Sequence, residues 1–376
     1  MAQTLKFGKG TWATKTGSSM AYNDQNGNYK PLPFNVERDS IATRVNKQGL
    51  IEVVGKDKLR IDYTDSTKGV ALLEPSRTNL EDKSNGFSTW SSNSNITRTA
   101  DYIISPDGTQ NATRLQFTAN GFCSNKTQSL ATYTVSCYAK RNDNGTQNVG
   151  FFTNGSGVVN SAWDITSEWK RFSYTFPALN AGAMGIAGVS GADISVYGFQ
   201  LEGLVSYPTS YIPTSGSTVT RQADVANGSG NSEVFNDSEG VLMFQGSAKN
   251  DAVSKRISIS DGSFSNRISL DYTQVTNTFN LYISNKFISV VFNVETNNKL
   301  AFKYKNNDCS LFLNGFKVGV ISSVTVPVGL DTLQFTDADE TSSPFYGKTK
   351  ELGYYDTALT DAELEYLTSY RSLNEL

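Results

Sequence analysis

The sequence predicts an all-β protein: a small N-terminal β module, then two antiparallel β-sandwiches, with one short helix near the C-terminus. Three observations carry this. The 376 residues are 38% hydrophobic but only 18% charged, and the polar remainder is Ser, Thr, Asn and Gly, which suits sheets and turns better than helices. Short apolar runs recur with period-two alternation between Asn, Gly and Asp clusters, the cadence of antiparallel sandwiches. Between two such sets lies Tyr207-Pro208-Thr209-Ser210-Tyr211-Ile212-Pro213, holding two of the nine prolines. Proline fixes its own φ and pushes the preceding residue toward extended geometry, so helix is excluded there.

A chain of this length calls for two or three cores. Residues 1–85 read as the β-rich module: Asn26-Gly27 is a hairpin dipeptide, Pro31-Leu32-Pro33-Phe34 is extended, and Leu59-Arg60-Ile61-Asp62-Tyr63 alternates as a half-buried strand does. Residues 86–206 form the first sandwich, with strands over 113–118, 132–139, 148–153, 170–176 and 193–201. In the second of these, Tyr133, Val135, Cys137 and Ala139 share the core face. Residues 207–222 are a stiff connector whose Tyr207 and Tyr211 pack it against that sandwich. Residues 223–376 repeat the cadence, with strands that include 256–260, 267–272, 280–283 and 287–294. Near the end Thr360-Asp361-Ala362-Glu363 is a capping box, with Leu359 and Leu364 at the staple positions, so a helix runs from Asp361 to about Tyr370.

Composition narrows the function. A net charge of -3 with mixed signs lacks the basic patch that nucleic-acid binding needs. No run of about 18 apolar residues exists for a membrane span, and the N-terminal residues lack the apolar core of a secretion signal. The chain is therefore expected to be soluble and not exported by that route. Cys123, Cys137 and Cys309 are too few and too scattered for a disulfide framework or zinc spacing and are expected as buried thiols, with a Cys123–Cys137 pair left open. The chain has no histidine, which removes His-based nucleophile pairs and His-ligated zinc. A glycosidase needs two carboxylates flanking the bond, and the Glu-x-Asp-x-x-Glu strand that would present them is not in the sequence. No catalytic residue is predicted.

The wording of several segments resembles a family. The run Arg38-Asp39-Ser40-Ile41-Ala42-Thr43-Arg44-Val45-Asn46 and Leu72-Leu73-Glu74-Pro75-Ser76-Arg77-Thr78-Asn79-Leu80 are similar to the opening of bacteriophage structural proteins. Ser136-Cys137-Tyr138-Ala139-Lys140, Trp169-Lys170-Arg171-Phe172-Ser173 and Gly198-Phe199-Gln200-Leu201-Glu202 through Pro213 resemble their carbohydrate-binding-module-like jelly roll. Leu311-Phe312-Leu313-Asn314-Gly315 and Glu351 to Leu364 resemble laminin-G or concanavalin-like sandwiches. Residues 1–37 lie outside the resemblance.

The resemblance implies a non-enzymatic fibre, head-decoration or tail-appendage protein of the virion. It would be homotrimeric, anchored to capsid or tail proteins through the N-terminal module, and adhesive toward host-surface glycans. A tail-associated polysaccharide depolymerase and a bacterial surface adhesin are the alternatives. Glycan binding needs an exposed aromatic face framed by amides and carboxylates. Trp90, Tyr102 and Trp163 lie near Asn- and Ser-rich loops, with Asn154 beside them, and are the candidates; the other reading of these rings is that they cap the core edges. Concanavalin-like domains often carry calcium, and Asp337, Asp339 and Glu340 share a loop that could supply oxygen ligands.

Overall fold

The computed structural model describes residues 3–15, 17–23, 30–129, 131–153, 159, 161–177 and 182–370. The chain is all-β: among the described residues its α-helix is Asp361–Thr368, and strands make up the rest of the regular structure apart from short turns. It divides into two compact units, one of residues 1–39, 54–75 and 223–376 and the other of residues 40–53 and 76–222. The expected boundary between 222 and 223 stands, whereas those at 85 and 206 are displaced. Residues 1–85 are not a module of their own, because their strands complete sheets that the end of the chain begins. Leu5–Gly8 pairs with Gly347–Tyr355, matching Leu5 with Tyr354, and Lys30–Glu37 pairs with Val225–Asn227.

The first unit is a sandwich of a large and a small sheet. In the large one, Leu5–Gly8, Gly347–Tyr355, Glu239–Ala248, Asn298–Lys305, Cys309–Leu313 and Phe316–Ile321 follow in order. The small sheet runs Lys286–Val291, Thr278–Ile283, Arg267–Tyr272, Lys255–Ser260, Thr332–Gln334. Alternation assigns the faces: Phe7, Leu242, Phe244 and Leu352 meet Ile257, Ile268, Leu270 and Leu281 in one buried core. On the outer face of the large sheet Val241, Met243, Ala301, Phe312 and Tyr355 are covered by Leu359 and Leu364. The helix that brings Leu364 there begins with the expected capping box: Thr360 Oγ1 accepts from the Glu363 amide at 3.3 Å, and Glu363 Oε2 accepts from the Thr360 amide at 2.8 Å. It ends at Thr368 rather than Tyr370.

A buried ion cluster closes this unit. Arg38 donates to Asp224 at 2.8 Å, to the Lys58 carbonyl at 2.9 Å and to the Gly55 carbonyl at 2.6 Å. Arg60 donates to Glu74 at 2.7 Å and also to Asp224, and the Glu74 amide donates to Asp224 at 2.8 Å. Arg38, Arg60 and Asp224 are all buried. The chain leaves the unit after residue 39, returns at 54, leaves after 75 and returns at 223. Arg38, Gly55, Glu74 and Asp224 stand next to these four points.

In the second unit one long strand, Gln110–Gln128, serves two neighbours: Thr113–Gln116 pairs with Asp193–Val196, and Gly121–Gln128 pairs with Gly182–Gly188. The sheet curls over itself. Trp163, beside the strand at one end of the sheet order, stacks on Phe172 from the strand at the other end, with ring centroids 4.9 Å apart. Inside lie Val135, Cys137, Phe151, Ile186 and Phe199. All three cysteines are free and buried, so the open Cys123–Cys137 pair is not joined here, and burial pushes the Cys123 thiol up to about 12.

The segment after residue 206 belongs to this unit and is a latch across its sheet, not a spacer. Gln200 accepts from the Ile212 amide at 2.6 Å, Glu202 accepts from the Thr209 hydroxyl at 2.6 Å, and Asn79 donates to the Ile212 carbonyl at 2.9 Å. Tyr211 is buried, its hydroxyl 2.6 Å from Ser84 Oγ and its ring edge-on to Tyr197 at 5.5 Å. Gly198 makes room for it, since its φ is +67° and a Cβ there would sit 3.2 Å from the Tyr211 ring. Tyr207 takes the Arg77 guanidinium over its ring at 5.7 Å.

Replacing Asp224 by Ala would strand Arg38 and Arg60 in the interior without their shared carboxylate, which costs about 3–5 kcal/mol. Denaturant unfolding of the Asp224→Ala chain should show a loss of that size; a loss within about 0.5 kcal/mol, as at an ordinary surface site, would contradict the role assigned to the cluster.

Candidate functional site

The small sheet of the first unit has an outer face that its strands write in alternation. Arg256-Ile257-Ser258-Ile259-Ser260 and Arg267-Ile268-Ser269-Leu270-Asp271 send isoleucine and leucine inward, and Phe279-Asn280-Leu281-Tyr282-Ile283 does the same with its apolar residues. Register then lines the outward residues up in rows. One row is Arg256, Asp271, Asn280, Ser289. The next is Gln334, Ser258, Ser269, Tyr282, Phe287. Directly opposed residues are about 4.5–5.5 Å apart at Cβ, so each row is a contiguous strip.

The strip has an aromatic end and a charged centre. Phe287 is 58% exposed, with its ring centroid 5.6 Å from that of Tyr282. Arg256 and Arg267 each place a guanidinium 5.7 Å from the Tyr282 centroid, and Arg267 lies 5.1 Å from exposed Phe264. Both guanidiniums are fixed from behind: Asp337 accepts from Arg267 at 2.7 Å and from Arg256, and Asp271 accepts from Arg256 at 3.2 Å. Burial pushes the Asp271 carboxyl above its ordinary value against the pull of Arg256. Burial by itself would lower Arg256, yet Asp271 and Asp337 together hold it above its ordinary value. Around this centre Nε of Arg256 and of Arg267, Oγ of Ser269, Oδ1 of Asp271, Oδ1 of Asn280 and Oε1 of Gln334 are buried without a hydrogen-bond partner in the protein. Buried polar groups ordinarily find partners.

The residues singled out from the sequence are not brought together. Trp90 and Trp163 belong to the core of the second unit. Trp90 packs on Phe87 and Phe199 and donates to the Lys83 carbonyl at 3.0 Å, and Trp163 is 8% exposed. They are core rings, the alternative the sequence had offered. Tyr102 is 40% exposed, but the Arg114 guanidinium lies 4.7 Å from its centroid and is itself held by Asp193 at 2.9 Å. Asn154 lies outside the described residues.

Nor do Asp337, Asp339 and Glu340 converge as calcium ligands. The Asp337 oxygens are taken by the two arginines and by the Ala338 amide at 2.9 Å. Asp339 folds back on its own loop, accepting from the Ser342 and Thr341 amides; burial alone would raise its carboxyl, but these bonds hold it down at about 2. Glu340 is exposed. Among the described residues, no group of three or more metal-ligating side chains is gathered.

No protein-family model matches the chain, and no curated protein matches it. Solved structures with some likeness include the CBM40 of the Ruminococcus gnavus IT-sialidase bound to α2,3 sialyllactose, at 17% identity over 38% of this chain and 94% of that one, with a TM-score of 0.33. Domain 4 of AbnA, a GH43 arabinanase from Geobacillus stearothermophilus in complex with arabinotriose, matches at 13% identity over 44% of this chain and 83% of that one, with a TM-score of 0.32. The sialidase of Trypanosoma rangeli matches at 8% identity over 95% and 66%, with a TM-score of 0.31. At these values the likenesses carry no argument about function.

Two measurements check these placements. Trp163→Ala should destabilise its unit by about 3–5 kcal/mol, as removal of a core aromatic does; an unchanged melting temperature would return Trp163 to the surface. Calcium added to chelator-treated protein should give no heat of binding in calorimetry, and a saturable heat would reinstate the acidic loop as a metal site.

Proposed function

We propose that this chain is a non-enzymatic glycan-binding protein of a bacteriophage virion, a fibre or decoration component that works as a homotrimer. The glycan reading rests on the platform of Phe287 and Tyr282 beside Arg256 and Arg267. An exposed ring offers an apolar face to the C–H side of a sugar, and the partly exposed Arg256, Arg267 and Asn280 with exposed Ser289 offer partners for hydroxyls. The two arginine charges are offset locally by Asp271 and Asp337, which favours an uncharged sugar. Because both guanidiniums are already held, little ordering remains for binding to complete.

The non-enzymatic reading is favoured by the state of the two carboxylates nearby. Asp337 is buried and engaged with two guanidiniums, and Asp271 is buried beside Arg256. Both carboxyls lie beneath the face, out of reach of a glycosidic bond presented on it. The virion setting and the trimer rest on the resemblance in the sequence. The N-terminal strands lie within the first sandwich, so attachment to capsid or tail would use a surface of that sandwich rather than a separate anchor. Three weak sites held on one particle bind more tightly than one.

A glycan array with the full chain should return uncharged oligosaccharides. Titration calorimetry should then show Phe287→Ala weakening binding about tenfold or more, equivalent to about 1.4 kcal/mol, with no change in melting temperature. Full affinity in the variant would remove the platform, and an array blank for uncharged glycans would remove the function. Absence of the protein from purified particles by mass spectrometry would remove the virion setting.

A further inference from the structure

The outer face of the large sheet is only partly covered. The C-terminal helix lies over Val241, Met243 and Tyr355, but Gln245 and Glu351, which face each other across the two central strands, continue the face beyond it. There a cavity of about 870 Å3 opens, bounded by the 65–68 turn, the 295–297 turn and Leu367 of the helix. This volume is within the usual range for small-ligand sites, about 300–1,000 Å3.

The lining is cationic. Lys9, Lys68, Lys299, Lys348 and Lys350 face Asp65, Glu295 and Glu351, in a chain whose net charge is -3. The excess of positive charge is therefore local. Each lining carboxylate already has a lysine: Glu351 accepts from Lys9 at 3.3 Å, Asp65 pairs with Lys348, and Glu295 pairs at 3.5 Å with Lys249, which is not in the lining. With Lys68, Lys299 and Lys350 the lining holds five lysines against three carboxylates.

The site is also built. Glu351 is 2% exposed and holds Gln3 at 3.1 Å as well as Lys9. The Lys299 ammonium donates to the Ser369 carbonyl at 2.8 Å and lies 4.9 Å from the Tyr370 centroid, and the Tyr370 hydroxyl donates to the Asn297 carbonyl. This joins the end of the helix to the opposite wall. A cleft with an excess of one sign of charge concentrates counter-ions, and ammonium groups bind carboxylate and phosphate oxygens as point charges.

We infer that this cavity is a second ligand seat, for a polyol chain bearing oxyanions. Gln245, Ser247 and Thr296 in the lining supply amide and hydroxyl partners for the polyol, and the lysines take the anionic groups. The inference does not rest on the aromatic platform, which lies on the other sheet and has its charges offset.

The test is titration calorimetry of the full chain with oligogalacturonate, which carries carboxylates on sugar rings, with glycerol phosphate oligomers, which carry phosphodiesters on an acyclic polyol, and with a maltooligosaccharide as uncharged comparator. At least one anionic probe should bind at low salt, with affinity falling steeply as salt is added. The double variant K68Q/K348Q, at two exposed or half-exposed side chains, should lose about tenfold or more while melting normally, and Phe287→Ala should bind the anionic probe as the unaltered chain does. Binding of oligogalacturonate alone assigns the oxyanion to a sugar acid, and binding of the phosphodiester alone to a polyol phosphate. The inference is overturned if neither anionic probe binds at low salt, if the lysine variant binds undiminished, or if the uncharged oligomer binds the Phe287→Ala chain as tightly as the anionic probe does.

Discussion

Asp224 is the residue on which the architecture of the first unit turns. Its two oxygens accept from Arg38 and Arg60, and through them it is joined to the Lys58 and Gly55 carbonyls and to Glu74. The desolvation of such groups is costly, and a buried pair is weak grounds for high stability. Its value here is one of specification. A unit assembled from three separated stretches of chain needs the stretches to meet in one register, and hydrophobic packing tolerates many exchanges. A carboxylate shared by two guanidiniums tolerates few. The apolar core supplies the driving force, and the ion cluster joins the ends of the three stretches.

With the ends held, alternation does the rest. The same period-two pattern that buries Ile257, Ile268 and Leu281 between the sheets sets Arg256, Arg267 and Tyr282 outward on one side. On the other sheet it buries Leu242 and Leu352 and sets Gln245 and Glu351 outward. One sandwich thus presents two chemically different faces, one aromatic with offset charges and one concave and cationic.

What could be read in the sequence was what is local. The capping box at Thr360 and Glu363 involves residues three apart, and it stands as expected. The strands over 256–260, 267–272 and 280–283 were visible from alternation, as was the extended, helix-free character of 207–213. What escaped depends on partners far along the chain. Gln3 meets Glu351 across 348 positions, so the opening residues looked like a module of their own. Asp337 looked like a calcium ligand because its neighbours in sequence are acidic, while the arginines that occupy it lie 81 and 70 positions away. The rule applied to Trp90 and Trp163, an aromatic face framed by amides and carboxylates, was sound chemistry set on the wrong rings: their polar loops are near in sequence, but core packing decides burial. Phe287 could be connected to Arg256 only by knowing the strand order.

The pairing of Leu5–Gly8 with Gly347–Tyr355 also bears on how the chain is made. At a synthesis rate of about 5–20 residues per second, the first strand waits on the order of tens of seconds for its central partner. During that time residues 76–222 emerge and can fold as the body of the second unit. The opening strands meanwhile present unpaired edges, the kind of surface that recruits stray strands. A ribosome that stalls before residue 347 therefore leaves Leu5–Gly8 without the strand it pairs with.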